Sequence, residues 1–250
     1  MKKHRRKSKS AVVYIPIAIL TVALLGVLGI SAFLRIIEIE VVGARRYSKE
    51  EIIRASGISI GDNILFINTD NAINKIKATL PYVKEVIIEY DIPDTVHISI
   101  SEAEAFATIM DSGGLLVIDA AGRVLDKTEV APDNLIDIKG FTPNNSTIGN
   151  ALRAFAGDET RLRYLKEVLE AIETEGIGSE ISTIDVSSIA NISFRYRGRF
   201  TVMLGTTDNI RYKFGTLAVI VEEIETNSPV NVTGTIYLSA GGPARWQEDR

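Results

Sequence analysis

Between Ala11 and Leu34 the chain carries 24 consecutive residues without a charged side chain. As a helix rising about 1.5 Å per residue, this run reaches about 36 Å, enough for a hydrocarbon core of roughly 30 Å. Nothing polar interrupts it to make a solvent face, so a soluble core helix is disfavoured. Pro16 lies in the first turns, where a missing donor costs least, and Gly26, Gly29 and Ser31 are tolerable because lipid enforces backbone pairing. Ahead of the run, Lys2, Lys3, Arg5, Arg6, Lys7 and Lys9 place six cations and no acids in the first ten residues. The positive-inside rule then puts the N-terminus in the cytoplasm and everything after Arg35 outside. Gly29-Ile30-Ser31 loosely fits a small-x-small cleavage site. The run nevertheless exceeds the apolar region of a signal peptide, about 7 to 15 residues, which favours an uncleaved anchor.

Charge then narrows the function classes. Taking those six cations from 28 Lys and Arg leaves 22 against 32 Asp and Glu, a net of −10 beyond the tail. Such a body repels nucleic-acid phosphates, so no nucleic-acid partner is expected. The plainer role of the basic cluster is orientation and attraction to anionic lipid. The absence of cysteine excludes disulfides, thiolate metal sites and cysteine nucleophiles. Two histidines, His4 and His97, are too few for a three-His zinc site.

After the span, residues 36–42 read as a partly alternating strand ending at Gly43. Ser48-Lys49-Glu50-Glu51 is a capping box opening a helix with Ile52, Ile53 and Ala55, and Gly57 stops it as a left-handed cap. Asn68, Thr69 and Asp70 are candidate caps for a second helix containing Ala72, Ile73, Ile76 and Leu80, closed by Pro81. Residues 83–90 and 95–101 are strand runs joined by Asp91-Ile92-Pro93-Asp94, a hairpin turn. The expected order is β-α-α-β-β.

That order directly outside an anchor resembles the POTRA domain of the bacterial cell-division family FtsQ/DivIB. "VVGARRYSKEEIIRASGISIGDNILFINTD" is similar to the family's first strand, helix and Gly-x-Asn loop. "LPYVKEVIIEYDIPDTVHISISEAEAFA" is similar to its Leu-Pro-x-Val and Pro-x-Thr-Val hairpin, although the Glu-Arg-x-Pro-x-Ala that usually follows reads Glu102-Ala103-Glu104-Ala105-Phe106-Ala107.

Downstream, Ile109, residues 115–118 and Val124-Leu125 are short strand candidates separated by glycine turns. The second of these turns resembles the family's Asp-x-x-Gly hairpin, and Ile136-Asp137-Ile138-Lys139-Gly140 resembles its next strand. Leu162, Leu165, Val168, Leu169 and Ile172 recur at helical spacing before Gly176. Strand patterns follow at 181–186, 192–196 and 200–204, then an apolar-striped helix over 210–225 and a terminal strand over 235–239. The fold class expected is α+β: a single transmembrane helix, a POTRA domain, then a mixed β domain with helices. The boundaries are a cytoplasmic tail at 1–10, the span at 11–34, the POTRA domain at 35–104, an extracytoplasmic β domain at 105–240 and a C-terminal tail at 241–250.

If residues 235–239 form an edge strand, their unpaired backbone groups can add a partner strand. The resemblance implies that the last strand and following segment receive FtsB/DivIC, with Thr235, Ile236, Tyr237, Leu238, Ser239 and Trp246 in that region. It further implies FtsL as a partner, FtsW and an FtsI-type penicillin-binding protein downstream, a septal location, and a scaffold without enzymatic activity or cofactor. Gly57-Ile58-Ser59-Ile60-Gly61 spells G-x-S-x-G, so a membrane-anchored exported serine hydrolase is one alternative. A nucleophile elbow, however, needs a strand before the serine and a helix after it, the reverse of the pattern here. No phosphate loop, H-E-x-x-H or calcium loop is present, and no catalytic or metal-binding residue is assigned. A chaperone-like POTRA module is the other alternative, but too little chain remains after residue 150 for an outer-membrane barrel.

Overall fold

The computed structural model describes residues 9–144, 146–227, 232–238 and 243–249. Of the basic cluster only Lys9 falls among them. Helix α1 (Lys9–Phe33) spans 25 residues with Pro16 inside it. Among the described residues, no helix is long and apolar enough to cross a membrane. The transmembrane helix expected at 11–34 is not established by them.

The chain divides into two units between Glu102 and Ala103. In the first, β1 (Glu38–Val42), α2 (Lys49–Ser56), α3 (Thr69–Thr79), β2 (Val83–Asp91) and β3 (Thr95–Glu102) follow α1. The β-α-α-β-β order is the one read from the sequence. Ser48 and Glu51 form the reciprocal capping box, and Gly57 ends α2 with φ of 72°. Asn68 caps α3, its Oδ1 accepting from the Asn71 N–H at 2.9 Å. The three strands order as β1-β3-β2, with β1 parallel and β2 antiparallel to β3. Ile39, Ile52, Ile76, Val83, Val96 and Ile98 fill a core between the sheet and both helices.

The second unit carries β4 (Ala107–Asp111), β5 (Gly114–Ile118), β6 (Val124–Thr128), β7 (Ile136–Lys139), α4 (Glu159–Glu175), β8 (Ile181–Asp185), β9 (Ile192–Tyr196), β10 (Phe200–Gly205), α5 (Ile210–Asn227), β11 (Gly234–Tyr237) and β12 (Arg245–Glu248). They form one nine-stranded sheet ordered β12-β11-β10-β9-β8-β7-β4-β5-β6. The pairs β4/β7, β7/β8 and β10/β11 are parallel, so α4 and α5 serve as crossovers from β7 to β8 and from β10 to β11.

Strand register explains the two faces. Trp246, Ile236, Val202, Phe194, Ile184, Ile138, Ile109 and Leu116 stand opposite one another in turn, a row crossing eight strands. Every member except Trp246 is buried, in one core with Leu165, Val168, Leu169 and Ile172 of α4 and Phe214, Leu217, Val221 and Ile224 of α5. The Phe194 and Phe214 rings stack at 5.8 Å. One position along, the alternate row Arg245, Tyr237, Met203, Ser193, Asp185 and Lys139 lies on the other face and is exposed or half-exposed.

Two expectations change at the C-terminal end. The terminal strand is not an edge: β11 lies between β10 and β12. Within the segment expected as a tail, 241–250, Arg245–Glu248 runs antiparallel to β11 as β12 and covers it. Gly234 makes this possible, since a Cβ there would stand 2.4 Å from the Gln247 carbonyl oxygen and 3.0 Å from Cζ3 of Trp246. Ser239 lies outside the described residues.

Candidate partner-binding edge

The strand predicted to receive a partner is thus split between an inner and an outer element. Ile236 is fully buried on the core face and Leu238 nearly so, which makes them supports for the strand rather than contact groups. Thr235 is half-buried, and Tyr237, exposed, lies on the opposite face beside Arg245. Trp246 is half-buried on β12 against the core. The structure therefore brings Thr235, Tyr237 and Trp246 to adjacent strands but presents the two aromatics on opposite faces of the sheet.

Among the described residues, β12 and β6 are the edges of this sheet. The Asp249 N–H donates to the Thr233 carbonyl at 3.0 Å. Continuing that register, Gln247/Thr235 and Arg245/Tyr237 are the hydrogen-bonded pairs. The N–H and C=O groups of Trp246 and Glu248 consequently point away from β11, into the position of a further strand. Sequence reasoning missed this edge because Arg245-Trp246-Gln247-Glu248 contains one apolar residue, too few to display a period of two.

Two polar devices fix the neighbouring elements. Lys213 of α5 is buried, and its Nζ donates to the Leu204 carbonyl at 2.9 Å and the Thr206 carbonyl at 2.7 Å, tying the helix to the end of β10. Burial pushes its ammonium below the ordinary lysine range, against the pull of Asp208. At the β9–β10 turn, Arg197 adopts φ of 49° and reaches Glu180 and Glu225, each at 3.0 Å. Arg199 also pairs with Glu225, and the Tyr196 hydroxyl donates to Glu180.

The Arg197 guanidinium holds the Glu180 carboxyl below its usual range. Burial pushes Glu225 up, but its hydrogen bonds to Arg197 and Arg199 outweigh that and leave it lowered. Burial, then the bond to Glu180, raises the Tyr196 phenol to about 12. The network clamps the last turns of α5 to the hairpin, which sets where the chain departs for β11.

The hydrolase constellation has ordinary partners. Ser59 follows a capped helix, and its N–H donates to Asp62 Oδ2 at 2.8 Å. His97 Nδ1, on β3, lies 3.0 Å from the Glu40 carboxylate on β1. Among the described residues no group of three or more His, Asp or Glu side chains could hold a metal ion.

The family model described as "POTRA domain, FtsQ-type" matches residues 34–103. The cell division protein DivIB of Clostridium botulinum strain Hall is 30% identical over 227 residues, covering 90% of this chain and 86% of that protein. The chain belongs to the FtsQ/DivIB family. A cell division protein FtsQ from Corynebacterium glutamicum is 26% identical over 168 residues, or 65% of this chain and 75% of that protein. The likeness to DivIB thus extends well beyond the POTRA domain into the nine-stranded sheet. This FtsQ/DivIB chain carries the POTRA order that the sequence resemblance implied.

Proposed function

We propose that this chain is a non-enzymatic scaffold of the bacterial divisome, anchored by residues 11–34 with its N-terminus in the cytoplasm and both folded units outside. In this reading it binds FtsB/DivIC and FtsL at the septum and helps organise FtsW and an FtsI-type penicillin-binding protein for wall synthesis. The family membership and the names of the relatives support the division role.

The observation that carries the partner site is the open edge of β12, where Trp246 and Glu248 turn their backbone groups outward. A FtsB/DivIC segment added there as a strand would make main-chain bonds to β12. Trp246, Thr235 and Tyr237 would select its side chains. A membrane anchor would confine both partners to two dimensions, so that modest interfaces suffice through raised effective concentration.

The test is affinity of the full chain, in detergent or nanodiscs, for the extracytoplasmic segment of FtsB/DivIC. Glu248→Pro removes one outward N–H and leaves the hydrogen-bonded pairs to β11 intact, so binding should fall about tenfold or more with the melting temperature retained. Trp246→Ala and Tyr237→Ala should weaken it further. Unchanged affinity in a folded Glu248→Pro protein would remove β12 as the receiving strand. Failure of a fluorescent fusion to reach the septum would remove the division role itself.

A further inference from the structure

The loop between α2 and α3 is stitched to the residues that leave α1. Ile64 N–H donates to the Leu34 carbonyl at 3.0 Å, Gly61 N–H to Ile36 at 2.8 Å, and Ile36 N–H to Asp62 at 2.9 Å. Arg35 Nη1 adds a bond to the Gly61 carbonyl at 3.1 Å. On the other side, Ile37 N–H donates to the Asp94 carbonyl at 2.8 Å, which ties in the β2–β3 turn. Three separate segments are thereby held within a few residues of Phe33, the last residue of α1.

Each segment leaves large apolar side chains in solvent. Phe66 is 80% exposed, and Phe33, Ile37, Ile60, Leu65 and Ile92 are exposed too. Their neighbours Ile36, Ile58 and Ile64 are buried, so the segments have already met the demands of the core. Two carboxylates on the same rim are turned into local bonds, Asp62 taking the Ser59 N–H and Asp94 Oδ1 the Thr95 hydroxyl, while Glu38, Glu50 and Asp91 beside it are exposed to solvent. An apolar patch of this kind on one end of a domain marks a contact surface.

We propose that this rim is a membrane-seating surface, whose six side chains enter the boundary between headgroups and acyl chains of the outer leaflet while Arg35 meets lipid phosphate. This inference rests on the anchoring proposed above for residues 11–34. Continuity argues for lipid as the occupant: the uncharged run ends at Leu34, one residue beyond α1, and Leu34 itself accepts the bond from Ile64. Any bilayer holding that run must lie against the rim. The first unit would then be held at the membrane by two attachments, and the direction of its sheet relative to the bilayer would be set.

The experiment uses the full chain reconstituted in phosphatidylethanolamine–phosphatidylglycerol vesicles, with the sole tryptophan removed as Trp246→Phe and a probe added as Phe66→Trp or, separately, Ile92→Trp. Val42→Trp is the control, an exposed position at the far end of β1, about 17 Å along the strand from Ile37. Lipid doxyl-labelled near the headgroup should quench both rim probes at least about twofold more than the control, with blue-shifted emission. A chain washed off the vesicles by carbonate overturns the anchor and the seating together. A retained chain with rim probes quenched no more than Val42→Trp overturns the seating alone. Blue-shifted emission without lipid quenching also overturns it, because protein would then cover the rim.

Discussion

Replacing Gly234 with alanine tests whether β12 is held as closely as the register requires. The new Cβ would lie 2.4 Å from the Gln247 carbonyl oxygen, a main-chain atom, where ordinary contact begins at 3.4 Å, so β12 must retreat by about 1 Å. A retreat of that size stretches the hydrogen bonds of the Gln247/Thr235 pair past their useful range. Two such bonds at about 1 kcal/mol each, plus lost contact around Trp246, put the cost of opening at about 2–3 kcal/mol. Alanine would otherwise gain about 0.5–1 kcal/mol over glycine in a strand, so the steric term should win. Trp246 is the only tryptophan, and its emission reports the edge directly. The variant should show red-shifted emission and amide exchange at Thr235 and Gln247 faster by about 30-fold, with the rest of the sheet protected as before. Wild-type emission and exchange in Gly234→Ala would refute the close approach of β12 to β11.

Lys213→Met leaves the Leu204 and Thr206 carbonyls without their donor and should cost about 2 kcal/mol in denaturant melts, the relief of burying no charge offsetting part of the loss. Arg197→Gln should cost about 1 kcal/mol, since its ion pairs are about one-third exposed and screened. Glu180 and Glu225 have folded-state pKa values below their unfolded ones, so their stabilisation is present above the unfolded carboxylate range and is lost as pH falls through the folded values. Melting temperature against pH should accordingly drop less steeply on the acid side in Arg197→Gln than in wild type. Asn68→Ala removes the α3 cap and should lower stability by about 1 kcal/mol, read in chemical melts of the full chain.

The POTRA half was legible because its signals are local. Ser48 and Glu51 meet within one turn, Gly57 has the positive φ its position implied, and the strand runs 83–90 and 95–101 became β2 and β3. In the second unit the strands and helices were also visible as periods, but their neighbours were not. Nothing in residues 136–139 announces that β7 pairs with both β4 and β8, because those pairings join segments far apart in sequence. The outer strand beside the candidate site was hidden for the same reason. Residues 235–239 looked like a final strand, while the four residues that cover it carry only Trp246 as an apolar mark. Lys213 looked like an ordinary helical lysine, since its two acceptors lie at the end of β10 and in the connection to α5.

The parallel pairing of β10 with β11 carries a cost in time. An 18-residue helix separates the two strands, so until α5 docks and the chain doubles back, Val202 and its neighbours on β10 form the sheet's bare margin. A binding peptide arriving during that interval would meet the wrong seam and compete with the protein's own next strand. If β12 receives a partner as proposed, productive capture requires that β12 pair with β11 first, which would make the finished architecture a checkpoint for the company it keeps.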